Sequence, residues 1–262
     1  MTSVVDAELT LLRRRRMLML GVGTAAAFAL ITTLATFLSA KPAAISPSGR
    51  GPTLEGLSAA GGATEAFRIG TGFLGVFVIV TFAARMTMEF SHGTMRTLLV
   101  HEPRRWRVVT GKTLALVIYS AGILAVAAGL TAVISVALAP GQDVSTAHWF
   151  GLDGAQAAVG DYLSAAAGLL GWAILGTLLG LVFRSVPVVV AVGVAWAGPF
   201  EHLLGQAWST AIRYLPGLQA EATAAGGTID VSYQHALALT LFYSAVATAA
   251  GLLVVARRDI TA

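Results

Sequence analysis

Long apolar runs without charged residues alternate with short polar segments along this chain. An α-helix rises 1.5 Å per residue and the hydrocarbon core of a bilayer is about 30 Å thick, so roughly 20 apolar residues are enough to cross it. The pattern predicts an all-α integral membrane protein, with six transmembrane helices in a single domain covering residues 1–262. The approximate spans are 17–38, 69–88, 113–138, 162–183, 185–200 and 236–256.

The run at 185–200 is the weakest of the six. It is short, contains Pro187 and Pro199, and leads into Glu201 and His202, which a lipid-facing span would not carry. This pattern predicts a helix followed by a re-entrant or interfacial segment. In the second span, Arg85 lies close enough to one end for its head group to reach the membrane interface.

Composition and charge placement agree with a membrane protein. The chain is 56% hydrophobic and 11% charged, and its mean hydropathy is +0.77. Lys and Arg accumulate in alternate loops, which by the positive-inside rule predicts a multi-pass protein of the cell membrane with both termini in the cytoplasm. The cytoplasmic segments then hold thirteen of the 17 basic residues: Arg13, Arg14, Arg15, Arg16, Arg85, Arg96, Arg104, Arg105, Arg107, Lys112, Arg184, Arg257 and Arg258. The alternative for the amino terminus, a cleaved signal peptide, is disfavoured because the apolar stretch 17–38 is too long for one.

Catalytic and metal-binding patterns are missing from the sequence. There is no cysteine, so disulfides and thiolate sites are excluded. The five histidines are scattered without metal-ligand spacing, and there is no G-x-S-x-G motif. The basic residues interrupt apolar runs, so nucleic acid is not a predicted partner. We therefore expect no catalytic residue, no metal site and no enzymatic activity in this chain.

The stretch RRWRVVTGKT ends in the Gly-Lys-Thr of a nucleotide-binding P-loop. The first glycine of G-x-x-x-x-G-K-[ST] would fall at position 106, where this chain has Trp106. Without that glycine the anion-cradling turn does not form. We expect Lys112 to be a basic anchor at the inner interface, and we expect the chain to bind neither ATP nor another cofactor by itself.

Other segments predict structural roles. The loop 39–68 is rich in Pro, Gly and Ser, which favours a flexible surface loop. Four aromatics in the later outer segments are suited to the headgroup level: Trp149, Trp208, Tyr214 and Tyr233. The small-residue motif Gly176-x-x-x-Gly180, preceded by Gly168 and Gly171, favours close helix packing, either within one subunit or between two.

The inner loop 89–112, EFSHGTMRTLLVHEPRRWRVVTGK, is the most informative segment. Thr94 to Val100 can form a short helix whose apolar stripe is Met95, Leu98 and Leu99, and Pro103 stops further winding. Such a helix can dock into a groove on a soluble protein or lie on the lipid surface. The pattern alone leaves both alternatives open.

This loop resembles the first cytoplasmic loop of ABC-2 type ABC transporter permeases, which forms the coupling helix of that family. The likeness is carried by E-x-x-x-G-T-x-x-x-L-L-x-x-x-P from Glu89 to Pro103, followed by a basic patch and Gly111-Lys112. The six-span layout and the closing RRDI at 257–260 extend it over most of the chain. The family often places an Arg three residues after the proline, where this chain has Trp106.

The resemblance implies a permease subunit of an ABC exporter that moves a hydrophobic or amphiphilic substrate, such as a drug, antibiotic or lipid, out of the cell. It also implies two copies of a separate ATPase that binds ATP and Mg, and a second permease chain, identical or paralogous. An amphipathic elbow helix is implied at Val4 to Leu12. The residues implied to contact the ATPase or shape the coupling helix are Glu89, Gly93, Thr94, Met95, Arg96, Leu98, Leu99 and Pro103. No substrate contact is assignable from the sequence, and an ion-coupled secondary transporter of similar topology is the alternative.

Overall fold

Helices make up most of the computed structural model, which describes residues 2–45, 51–91, 104–183 and 185–257. We number the α-helices of the described part in chain order. They are α1 Thr2–Leu12, α2 Arg15–Ser39, α3 Leu54–Ser58, α4 Gly62–Ser91, α5 Arg105–Leu138, α6 Leu152–Val182, α7 Val186–Ala195, α8 Glu201–Ala207, α9 Pro216–Ala224 and α10 Tyr233–Arg257.

Six helical segments are long and apolar enough to cross a membrane, which confirms the predicted all-α architecture with six spans. Their bounds are Arg15–Ser39, Gly62–Glu89, Arg105–Gln142, Leu152–Val182, Val186–Ala207 and Tyr233–Arg257. All but the span that begins at Val186 start before the predicted position. The prediction counted uncharged residues, whereas the backbone hydrogen bonds of a helix continue through charged residues as long as their side chains find water or a partner.

α6 is the central helix, and its glycines explain how its neighbours approach it. A side chain at Gly176 or Gly180 would collide with the backbone of Ile79 or Ala83 in α4, at 2.6 Å from the carbonyl oxygen in each case. Gly168 faces the backbone of α9 in the same way. Small residues let helix backbones come this close in lipid. Of the two interpretations of Gly176-x-x-x-Gly180, the structure therefore shows packing within one chain.

The fifth span is broken, as its prolines predicted. Between α7 and α8 the segment Trp196–Phe200 forms a π-type turn, in which Gly198 has non-helical angles of φ −93° and ψ −107°. Pro199 has no N–H to donate, so the regular hydrogen-bond ladder stops here. After α8 the chain turns through the 3-10 segment Ser209–Arg213 and returns as α9, which packs against α6, α10 and α4.

The two ends of the bundle can be identified from packing. α1 packs against the first turns of α5, and the last turns of α10 lie beside them because Val255 clusters with Val108 and Leu181. We call this the α1 end and the opposite one the far end. The described start and the described finish of the chain thus lie at the same end, as an even number of spans requires.

α1 confirms the predicted amphipathic elbow helix, and its apolar stripe faces protein. Leu12 is fully buried in the main core, where Val5 and Leu9 pack against it. Val4 lies so close to Gly111 that a side chain there would meet it at 2.9 Å. α1 is therefore fastened to the bundle by its own apolar face.

Two expectations at the far end are wrong. The described part of 39–68 is not loop throughout: Thr53 caps α3, Leu57 of α3 is fully buried, and α4 begins at Gly62. Trp149 is not a headgroup anchor, since it is buried in a small cluster with Phe37 and Leu57 and donates its indole N–H to the Leu57 carbonyl at 2.9 Å. Trp208 and Tyr214 are exposed, as expected of anchors.

Candidate functional sites: two charged clusters

The first cluster lies at the α1 end and is centred on Lys112 of α5. Its ammonium group contacts Glu8 of α1, and lies 3.0 Å from Oε1 of Glu89 at the end of α4. Arg85 of α4 stands 3.9 Å from the other oxygen of Glu8. Three helices that are distant in sequence are therefore tied together through one lysine.

The cation at the centre of this cluster is largely buried, so its ion pairs matter for stability. The Lys112 side chain is only 9% exposed, and a cation held away from water is costly unless it is paired. Here two carboxylates compensate it. Because Glu89 and Lys112 flank the segment 92–103, their ion pair also fixes the separation of the two helix ends between which that segment runs.

Lys112 lies inside α5 and is paired there with carboxylates, and its expected role as a basic anchor at the inner interface stays a prediction. α5 begins at Arg105, so Gly-Lys-Thr lies about two turns inside a helix, and Thr113 bonds to the Val109 carbonyl. The cavity among these side chains measures about 20 Å³, about what one water molecule needs. Lys112 forms ion pairs with Glu8 and Glu89. The resemblance to a P-loop is therefore confined to the three residues Gly-Lys-Thr.

Most of the predicted coupling-helix residues lie outside the described residues. These are Gly93, Thr94, Met95, Arg96, Leu98, Leu99 and Pro103. Glu89 is described, and its contact with Lys112 was not foreseen. No spacing in the sequence links Glu8 to Lys112, because that pair exists only when α1 folds back on α5.

The second cluster lies toward the far end, where the fifth span breaks. Glu201 is 2% exposed. Its Oε2 accepts a hydrogen bond of 2.8 Å from the backbone N–H of Leu218, in the first turn of α9. Its Oε1 has no hydrogen-bond partner within the described part of the chain. A buried acceptor without a donor is unusual and costly.

His202 and Glu221 complete this cluster. The Nε2 atom of His202 is 3.2 Å from Oε2 of Glu221, and its Nδ1 is 2.8 Å from the carbonyl of Gly198. Burial raises the pKa of Glu221 above its ordinary value of 4.5, the neighbouring imidazole opposes that rise, and the carboxylate of Glu201 adds to it. The cluster therefore contains groups that interact through their charges.

α9 is held at both ends by partners of its free backbone groups. The carboxyl group of Glu201 accepts from the N–H of Leu218 at its amino-terminal end, and Arg68 of α4 donates to the carbonyl of Ala225 at its carboxyl-terminal end, over 3.2 Å. Arg68 is in turn held by Glu65 in a bidentate pair. An acceptor for the N–H groups at the start of a helix and a cation at its end are both stabilising. The sequence placed Glu201 near a membrane edge without indicating this partnership.

Apolar grooves open on the sides of the bundle. One of about 300 Å³ lies between α5, α6 and α10, with Val117, Leu170 and Leu252 in its wall. Another of about 210 Å³ lies between α2, α4 and α5. Both are lined mainly by aliphatic and aromatic side chains, which suit lipid tails or other apolar molecules.

These features define a multi-pass α-helical membrane protein whose described residues include charged clusters toward both ends of the bundle. The chain belongs to a family described as a protein of unknown function, DUF2705, whose model matches residues 29–261. Neither the curated proteins nor the solved structures include a match to this chain.

Proposed function

We propose that this protein is the permease subunit of an ABC exporter, which moves a hydrophobic or amphiphilic compound out of the cell with ATP hydrolysed by a separate subunit. The observation that carries the proposal is the Lys112 cluster. It joins the elbow helix α1 to both helices that flank the segment 92–103, whose sequence resembles the coupling helix of ABC-2 permeases.

The Lys112 cluster connects the helices on either side of the segment 92–103 to each other and to α1. A push or pull on residues 92–103 acts first on the ends of α4 and α5, and the Glu89–Lys112 pair resists their separation. Glu8 passes the same load to α1. Discrete, interlocked elements of this kind transmit displacement through a bundle because packed cores deform little.

The lateral grooves support an apolar substrate. They are lined mainly by apolar side chains of the membrane-spanning helices, as suits a compound that partitions into the membrane. In this proposal the partner ATPase holds ATP and Mg, and a second permease chain completes the pathway.

Co-purification tests the proposal. The full chain is solubilised from its native membrane, alone and as a Leu98→Asp, Leu99→Asp double variant, and the associated proteins are identified. We expect the wild type to retain an ATPase with a complete P-loop and the variant to lose it, because two carboxylates would be placed in the apolar stripe of the coupling helix.

A matched control carries the same change at the far end, as Leu152→Asp with Ile229→Asp. Both side chains are largely exposed there, so this variant is expected to retain the ATPase. A wild-type chain that brings down no ATPase contradicts the proposal. Equal loss from both variants removes the evidence for a specific role of the segment 92–103.

An ion-coupled secondary transporter is the second candidate. The observation that favours it is Glu201, a buried carboxyl group beside a broken helix within the fifth span. Ionisable groups and interrupted helices are typical of coupling-ion sites in such transporters. Transport driven by a proton or sodium gradient in vesicles without ATP would favour this alternative.

A further inference from the structure

Glu201 has an oxygen atom that the described part of the protein leaves without a donor. The side chain is 2% exposed, and Oε1 has no hydrogen-bond partner there. An ionised carboxylate in such a place loses its hydration and gains the bond from Leu218 to Oε2, with the backbone N–H of Gly217 and the side chain of Trp196 as the other nearby donors. The free-energy cost falls sharply if the free oxygen carries a proton, since burying a neutral group is far cheaper than burying a charge.

The residues packed around Glu201 supply little positive charge. α4 presents Gly72, which faces Glu221, and α6 presents Trp172, which meets Gly217 beside the Glu201 carboxylate. α10 presents Tyr243, whose hydroxyl donates to the Tyr214 carbonyl.

Two titratable groups complete the surroundings, Glu221 on α9 and His202 on the same helix as Glu201. A second carboxylate disfavours ionisation of the first. His202 is the one group among the described neighbours that can offset it as a cation, and it is already paired with Glu221.

His202 provides a route for a proton. The carbonyl of Gly198 can only accept, so Nδ1 must carry a hydrogen, and Nε2 is left facing Oε2 of Glu221 at 3.2 Å. That contact holds one proton, either on the imidazole or on the carboxyl group. The His202 side chain is 47% exposed, so it can take the proton from water and pass it inward.

The geometry of α9 links this pair to Glu201. Leu218 and Glu221 lie within one turn of each other on α9, and the charges of Glu201 and Glu221 interact. Leu218 holds Oε2 of Glu201, while Glu221 holds His202. The two carboxyl groups and the imidazole thus form one cluster, built by the break at Gly198 and the return of the chain as α9.

We propose that Glu201 is a proton-binding site, in which Oε1 carries a proton in this structure and exchanges it with water at the far end by way of Glu221 and His202. No bond other than those to the proton is made or broken: the proton leaves one oxygen, and the imidazole or the second carboxylate accepts it. The site does not depend on an ATPase partner, so the proposed exporter function and this site stand or fall separately.

Infrared difference spectroscopy of the full chain in lipid nanodiscs tests the proposal directly. A protonated carboxyl group has a C=O stretch that an ionised one lacks, and this band moves when water is replaced by D₂O. We expect the wild type to show such a band at neutral pH. Because Glu221 can also hold a proton, the band of Glu201 is the one that persists in Glu221→Gln as in the control, and we expect Glu201→Gln to lose it. Glu55→Gln is the matched control, because Glu55 is exposed at the far end, and it is expected to keep the band.

The proposed path of the proton through His202 is tested by the rate of exchange in D₂O. His202→Gln leaves Glu201 in place, so the band is expected to persist while its shift on transfer to D₂O becomes slower than in the wild type. This variant also serves if Glu201→Gln does not insert. The proposal is overturned if the wild type has no protonated-carboxyl band at neutral pH, if Glu201→Gln retains it, or if His202→Gln exchanges as fast as the wild type.

Discussion

The charged groups at the two ends of the bundle are buried in opposite ways. At the α1 end the cation Lys112 is matched by two carboxylates, Glu8 and Glu89. Toward the far end there are two carboxyl groups, Glu201 and Glu221, and one imidazole, which pairs with Glu221, while an oxygen of Glu201 has no donor in the described structure. A cluster in which opposite charges are balanced holds its helices together. A cluster with an excess of carboxyl groups and an unbonded oxygen can instead bind a proton.

The largest expected effect comes from breaking the compensated cluster. Lys112→Ala removes the largely buried cation that Glu8 and Glu89 both contact, which is expected to lower the free energy of unfolding by about 3 kcal/mol. Thermal unfolding of the purified chain in detergent measures this. Lys41→Ala is the matched control, because Lys41 is exposed. Equal unfolding midpoints for the two variants would show that the Lys112 pairs contribute nothing.

The next effect concerns the helix that connects the two clusters. A methyl group at Gly180 of α6 would lie 2.6 Å from the Ala83 carbonyl oxygen, so the backbone of α4 has to move. Gly180→Ala is expected to cost about 1–3 kcal/mol. Gly122→Ala, where nothing lies within 4 Å, is expected to be neutral or slightly stabilising. A neutral Gly180→Ala in the same unfolding assay would contradict the close contact.

Substitutions at Glu201 test whether the carboxyl group there is neutral, in contrast to the charged groups of the Lys112 cluster. A neutral carboxylic acid and the amide of Gln have nearly the same shape and no net charge. Glu201→Gln keeps an acceptor for the N–H of Leu218 and is expected to cost less than about 1 kcal/mol, whereas Glu201→Leu removes that acceptor and is expected to cost about 1–2 kcal/mol. Unfolding midpoints of both variants measure the difference. A Gln variant as unstable as Lys112→Ala would indicate that Glu201 is ionised in the folded protein.

The smallest effect is a dependence of stability on pH. The pKa of Glu221 is raised in the folded state, chiefly by burial, so the folded state holds this proton more tightly than the unfolded chain does. Its contribution is therefore lost as pH rises from about 4.5, the ordinary value, through the raised folded value. Glu221→Gln is expected to flatten that part of the profile of unfolding midpoint against pH. An unchanged profile would contradict the shift.

The sequence predicted that the fifth span is interrupted near Glu201, but it predicted none of the contacts that Glu201 makes. Pro187, Pro199 and Glu201 marked the fifth span as interrupted, because proline and a carboxylate both conflict with a lipid-facing helix. The role of Leu218 as donor was not predictable, since it depends on where α9 returns. Trp149 was misjudged for a similar reason: an aromatic residue in a polar segment is equally suited to an interface or to a local core.

The sequence by itself determined that this chain is a six-span helical membrane protein, because runs of apolar residues without charge have no other stable arrangement in a bilayer. It also determined that Gly-Lys-Thr is not a P-loop, since Trp106 replaces an indispensable glycine. Only the tertiary structure decided which charges meet. Glu8 and Lys112 are 104 residues apart, and their contact depends on the packing of α1 against α5, which no local pattern encodes.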